Sequence, residues 1–320
     1  MMISVVLPAY NCEKFIKKRV ESIFNQQSIE IYPIIIDDNS SDTTGFIIAD
    51  LIKERSIFFE VNEVNSGSPF IQWNKGVAKA KSELIWIAES DDFCSDNFIE
   101  QVLSFFKQNP NIGLVYTQSI KVDAEGISHG TWLDWTMELE GGQIFERDFI
   151  MDGKEFIKKF LIKKNVIPNA SAVVFRRELY EAVGGADESI RYCSDWLTWL
   201  KILTKCDVGF VAEPLNYFRF HDNSVIATAK GHMLENDIPM RLKFHAFLQQ
   251  EKLEGLLNES AHMLEQDYLN LGIYYYHNGE KLKGIATILR SISYAENKFA
   301  TAWTRLKYIT GLLLKWVPNR

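Results

Sequence analysis

Cysteine is scarce in this chain. The 320 residues include four, Cys12, Cys94, Cys193 and Cys206, far apart and with no C-x-x-C pair, which excludes a zinc ribbon and a dithiol redox motif and leads us to expect a reducing, cytoplasmic setting. Long apolar runs are missing as well. No segment approaches the roughly 18 continuous apolar residues of a membrane-spanning helix. The first apolar run, Ile3 to Ala9, has no basic segment before it and gives way to polar NCEK, so no secretory leader is expected. Excess positive charge is absent too: 35 Lys and Arg stand against 42 Asp and Glu, for a net charge of -7. Nucleic acid is therefore not expected as the main partner, because phosphate backbones are held by clustered Lys and Arg. The six histidines show no H-E-x-x-H spacing, no glycine-rich phosphate loop is visible, and no repeat of fixed period appears.

What remains is the composition of an ordinary globular protein, 47% hydrophobic and 24% charged, with length for about two domains. Residues 1–120 alternate strand-like and helical patterns. ISVVLP (3–8), IYPIII (31–36), IFFEV (57–61), LIWIA (84–88) and IGLVY (112–116) read as strands, most of them apolar nearly throughout, as in a sheet covered on both faces. Regular alternation with helices implies a doubly wound, mostly parallel α/β sheet. From 120 to 225 the pattern is irregular, with the stretch GTWLDWTMELEGG (130–142), a short helix near 154–162 and the apolar run SAVVF (171–175). After Pro239 helices are expected near 240–252, 256–277, 280–295 and 299–316, the middle pair forming a hairpin turned at His277-Asn278-Gly279.

Ligands of open α/β sheets bind beyond the carboxyl ends of the strands. Three such ends here are strongly polar: Ala9-Tyr10-Asn11, Asp37-Asp38-Asn39-Ser40-Ser41-Asp42, and Glu89-Ser90-Asp91-Asp92. Asp38 suits a base N–H or ribose hydroxyl, and equally a turn or helix cap. Tyr10 offers a flat face to a base. Glu89, Asp91 and Asp92 crowd three carboxylates into four positions, an arrangement that suits a hard divalent cation shared with a diphosphate, or otherwise an acidic turn capping the next helix. Asp195 opens the amphipathic stretch WLTWLKIL, where it is either a helix N-terminal charge or a general base.

Taken together, VVLPAYN (5–11), IIIDDNSSD (34–42), the segment from Asn74 through ESDD, and SDWLTWLK (194–201) resemble family 2 glycosyltransferases of the GT-A fold across residues 3–222. The resemblance implies a GT-A domain over 1–225, with a nucleotide-sugar half (1–120) and an acceptor half (121–225), followed by a helical region (226–320). It implies an inverting enzyme using Mn²⁺ or Mg²⁺, a nucleoside diphosphate sugar donor, and a glycan or lipid-linked acceptor in cell-surface polysaccharide or glycolipid synthesis. Tyr10 and Asp38 would hold the nucleobase and ribose, and Pro8, Asn74, Asp91 and Arg219 would complete the nucleotide-sugar set. Asp91 and Asp92 would bind the cation, with His221 of YFRFHDNS (217–224) as a further ligand, although a lone histidine in an aromatic run is also an ordinary packed side chain. Asp195 matches the catalytic base. Glu89 stands where the family usually has Asp, and Ser194 replaces the Glu or Asp frequently found before the base.

Two features stay open at this level. From Asn297 to Arg320 there are five basic residues and no acidic one, and Trp303, Leu306, Ile309, Leu313 and Trp316 recur at helical spacing. This is either a helix lying on an anionic membrane surface or a last helix packed on the core. The alternative to an enzyme is a non-catalytic protein that binds nucleotide sugars or scaffolds polysaccharide assembly; a nucleotidyltransferase fits poorly, since AYNCEK lacks the expected Gly- and Arg/Lys-rich loop.

Overall fold

A computed structural model describes residues 2–27, 29–167, 169–221 and 233–314. From the N-terminus the chain forms β1 (Met2–Ala9), α1 (Ile16–Phe24), β2 (Glu30–Asp37), α2 (Thr44–Leu51), β3 (Phe58–Val61), α3 (Pro69–Lys79) and β4 (Leu84–Ile87). Strands β3, β2, β1 and β4 lie side by side and all parallel, which brings the carboxyl ends of β1, β2 and β4 to one edge. Their apolar runs are buried on both faces, from Ile3, Val5 and Val6 to Ile34, Ile35, Ile36, Ile85 and Trp86. Helix α3 presses closely on β1 because position 76 is glycine: a Cβ there would come within 2.3 Å of Val6 Cγ1.

The next elements are β5 (Phe93–Cys94), α4 (Phe98–Gln108), β6 (Ile112–Val122), β7 (Ser128–Thr131), α5 (Leu133–Met137), β8 (Phe149–Met151), α6 (Gly153–Phe156), β9 (Val173–Arg176), α7 (Arg177–Ala182), α8 (Ser194–Leu203) and β10 (Asp207–Arg219). Among the described residues ten strands share one sheet in the order β3-β2-β1-β4-β9-β6-β10-β5, with β7 on β6 and β8 on β10. The strand after β4 is not β6, as simple alternation suggests, but β9, antiparallel to both β4 and β6. Beyond it β6 and β10 run parallel. The helix expected near 154–162 is α6 continued by a π-helical turn, Ile157–Leu161, and its start is capped by Asp152, which accepts the Glu155 N–H at 2.9 Å.

The chain divides into two compact units, Met1–Ala229 and Lys230–Arg320; the expected boundary at 225/226 lies outside the described residues. The second unit holds α9 (Met233–Gln250), α10 (Glu254–His277), α11 (Lys281–Ser291) and α12 (Lys298–Leu314). Helix α9 does not wait for Pro239 but contains it. The backbone hydrogen bond that proline forfeits is offset by burial of Ile238, Met240, Phe244 and Leu248 on the same helix. Helices α10 and α11 form the expected hairpin, turned at Gly279 with φ +93°, around a core of Ile238, Leu264, Tyr268, Leu271 and Tyr275. Residues 315–316 of the expected last helix lie outside the described residues. Among the described residues no helix is long and apolar enough to cross a membrane.

Candidate active site

The site grows from the polar ends of β1, β2 and β4. The first two are laced together: Asn11 N–H donates to Ser40 Oγ (3.0 Å), Ser41 N–H to Asn11 Oδ1 (2.8 Å), Cys12 N–H to Thr44 Oγ1 (2.8 Å) and Thr43 N–H to Glu13 Oε2 (3.0 Å). Asn11 and Asn39 take the left-handed conformation, φ 46° and 60°, which asparagine tolerates better than most residues. Tyr10, at the tip, is 50% exposed. Pro8 is buried inside β1 opposite Ile36 and contributes almost no surface.

Asp38 is turned inward. Its carboxylate accepts from Asn62 Nδ2 (2.6 Å), Ser66 N–H (2.9 Å), Ser66 Oγ (2.9 Å) and Gly67 N–H (3.3 Å), nearly filling the four or so acceptor positions a carboxylate has. Burial by itself would raise its pKa, but the hydrogen bonds from Ser66, Asn62 and Gln72 outweigh it and hold the group below the usual carboxylate range. In this structure Asp38 therefore anchors the loop at 62–67, a role its sequence position did not announce.

At the end of β4 the three carboxylates separate. Glu89 accepts the Trp73 indole N–H at 2.8 Å, and its own N–H donates to Ser171 Oγ at 3.1 Å. Burial, reinforced by the neighbouring Asp91 charge, pushes Glu89 up to about 8. Asp92 is 2% exposed; it accepts the Arg219 N–H at 2.9 Å and bonds with the Ser171 side chain, and burial together with Asp91 raises it too. Of the three, among the described residues, Asp91 meets a second candidate ligand: its Oδ2 lies 3.0 Å from His221 Nε2. The His221 ring also packs on Phe15, with centroids 5.1 Å apart.

Arg219, expected at a diphosphate, braces the acidic turn in this structure. It is 4% exposed, donates from Nε to the Asp91 carbonyl (2.8 Å) and from one terminal nitrogen to the carbonyls of Asp123 (2.8 Å) and Ala124 (2.7 Å), and its cation lies over the rings of Phe15 and Phe93. Strand β10 thus fixes the acidic turn in place. Asn74 is likewise occupied inside the protein, by Tyr180, Ala186 and Glu188.

Asp195 sits in the first turn of α8, preceded by Cys193 at φ 61° and by buried Ser194. Burial raises it to about 6, and the amides of Trp196 and of Asp195 itself offset only part of that. A carboxylate with that pKa is ionised at neutral pH yet basic enough to take a proton. Ser194 Oγ donates to the Asp187 carbonyl at 2.9 Å, so this departure from the family pattern serves as an anchor.

Three participants escaped motif reading. Trp73 and Ser171 leave no local signal. Arg19 does leave one, an arginine at the i+3 position of the apolar stripe Ile16, Val20, Ile23 of α1. It is fully buried, its guanidinium lies 4.8 Å over the Trp86 ring, and its charge opposes the rise at Glu89 and Asp92.

A parallel β3-β2-β1-β4 half-sheet with acidic ends, extended through an antiparallel β9, is the GT-A architecture. The model "Glycosyl transferase family 2" matches residues 4–184, more than half of the chain, and the chain belongs to that family; it is a glycosyltransferase. Among curated relatives, an uncharacterized glycosyltransferase of Haemophilus influenzae is 25% identical over 227 residues, 69% of each chain. A chondroitin synthase of Escherichia coli is 31% identical over 131 residues, 40% of this chain and 19% of the synthase. S. aureus TarS 1–349, solved in complex with UDP-GlcNAc, matches in fold with a TM-score of 0.71 at 17% identity, over 98% of this chain and 88% of that one.

Proposed function

We propose that the chain is a metal-dependent, inverting glycosyltransferase that moves a sugar from a nucleoside diphosphate donor to a hydroxyl of a glycan or lipid-linked acceptor. The carrying observation is the pairing of Asp91 with His221 at 3.0 Å, in a unit that also holds a carboxylate raised to about 6 at Asp195. Among the described residues no group of three or more His, Cys, Asp or Glu side chains is arranged to hold a metal. Two donors nonetheless suit a cation whose other positions are filled by phosphate oxygens and water, and an imidazole beside a carboxylate favours Mn²⁺ over Mg²⁺. When bound, the cation would offset charge on the departing diphosphate.

Asp195 takes the proton of the acceptor hydroxyl as that oxygen bonds to the anomeric carbon and the bond to the diphosphate breaks on the opposite side, which inverts the centre. Tyr10 offers its open ring to the base of the nucleotide. Asp38 and Arg219 serve the donor indirectly, by holding the 62–67 loop and the acidic turn. Uridine nucleotides are the first to test, since the fold relative TarS was solved with UDP-GlcNAc. The likeness to chondroitin synthase supports polysaccharide or glycolipid synthesis.

The last helix supports an anionic lipid surface as the place of work. One face of α12 packs inward through buried Ile309 and through Arg305, which donates to Glu265 at 2.9 Å. The other leaves Phe299 92% and Trp303 63% exposed, with Leu306 in the same row and Lys307 5.0 Å over the Trp303 ring. Incubation with Mn²⁺ and UDP-glucose, UDP-galactose, UDP-GlcNAc, GDP-mannose or dTDP-rhamnose, with glycan acceptors, should release free nucleoside diphosphate from at least one donor; its absence with every donor would refute the enzymatic reading.

A further inference from the structure

We infer that Asn74 and Trp73, neighbours on α3, are positioning residues that set the catalytic base against the acidic turn. Asn74 spends its whole amide on the segment leading to α8. Its Oδ1 accepts the Tyr180 O–H (2.6 Å) and the Ala186 N–H (3.1 Å), and its Nδ2 donates to the Ala186 carbonyl (2.9 Å) and to Glu188 Oε1 (2.8 Å). Gly185, at φ +72°, has no room for a side chain, since a Cβ would fall 2.6 Å from Asn74 Oδ1. The segment is then fastened to the base, because Ser194 Oγ donates to the Asp187 carbonyl one residue before Asp195.

Trp73 makes the second connection. Its indole donates to Glu89 in the acidic turn, and its ring stacks on Trp199 with centroids 6.0 Å apart and planes 29° from parallel. Trp199 lies one helical turn beyond Asp195 on α8, so both ends of that turn refer back to α3, and α3 is seated on β1 through Gly76. The sequence separation of 112 residues between Asn74 and Ala186 means that no local constraint does this work. Misplacement of a reacting group by about 1 Å can cost on the order of 100-fold in rate, which makes such a link kinetically visible.

This inference rests on Asp195 as base, and the test separates the two. In the full chain, Asn74→Ala and Tyr180→Phe should speed amide exchange across residues 184–198 by about tenfold or more while β1, β2 and β4 keep their protection. Affinity for UDP with Mn²⁺ should stay within about threefold and kcat, with the donor the wild type turns over, should fall roughly 10- to 100-fold. Trp73→Phe, which keeps an aromatic side chain but removes the N–H and part of the surface stacked on Trp199, should give a smaller fall of the same kind. Unchanged exchange at 184–198, or a loss of UDP affinity large enough to account for the whole effect, would overturn the inference. Asp195→Asn run in parallel shows whether a failure lies with the base instead: normal turnover there removes the base, while the exchange data still decide the link.

Discussion

Asp91 Oδ2 and His221 Nε2 stand 3.0 Å apart although 130 positions separate them in the chain. Arg219 makes the encounter possible, since it ties the end of β10 to the Asp91 carbonyl and the Asp92 side chain. His221→Ala and Asp91→Asn should each raise the Mn²⁺ concentration needed for half-maximal turnover, by at least the roughly 10- to 100-fold that loss of an outer-sphere partner costs at metal sites. Titration of Mn²⁺ into chelator-treated protein checks this, and full activity in the chelated protein would remove the cation from the proposal.

Asp195→Asn should lower transfer by about two or more orders of magnitude and leave nucleotide binding nearly unchanged. In the wild type, turnover should decline as the pH falls through about 6, where the raised Asp195 takes up its proton. Stability should run the other way. The folded-state pKa lies above the unfolded value, so ionisation of Asp195 costs stability above about pH 6 and costs nothing below the unfolded pKa of about 4. Urea melts at pH 8 should therefore show the Asn variant more stable than the wild type by on the order of 1 kcal/mol.

Asp38→Asn should act through stability first. The wild-type carboxylate is held below its ordinary pKa by its hydrogen bonds, so its contribution is present above an unfolded pKa of about 4 and fades as pH falls through the lower folded value. Replacing it forces an amide against the donors of Asn62, Ser66 and Gly67, at a cost of about 1–3 kcal/mol at neutral pH. The gap between wild type and variant in thermal melts should narrow below pH 4; a constant gap across that range would contradict this account.

Phe299→Glu with Trp303→Glu should abolish flotation with vesicles containing anionic phospholipid at low salt and leave the melting temperature within a few degrees, because both rings are exposed. Wild-type protein that stays unbound to those vesicles would remove the lipid surface from the proposal.

Much of the fold could be read locally. The apolar runs at 3–8, 31–36 and 84–88 became β1, β2 and β4 because a strand buried on both faces needs an unbroken apolar run, and the polar residues following each run reached one edge because parallel strands end together. The turn at Gly279 was equally legible. The place of β9 was not: a run of apolar residues at 171–175 states that it is buried, not that it lies antiparallel between β4 and β6.

The site divides in the same way. Sequence by itself determined which residue types stand at the strand ends and at the start of α8, and through them the family. Only the tertiary structure decided what each is doing there. Asp38, Asn74, Asp92 and Arg219 have hydrogen-bond partners inside the protein, and Asp91, His221 and Asp195 carry the proposed chemistry. The reason is physical: a polar side chain withdrawn from water must find a partner, and the partners of Asn74 and Arg219 lie about a hundred or more residues away, where no pattern of neighbouring residues announces them.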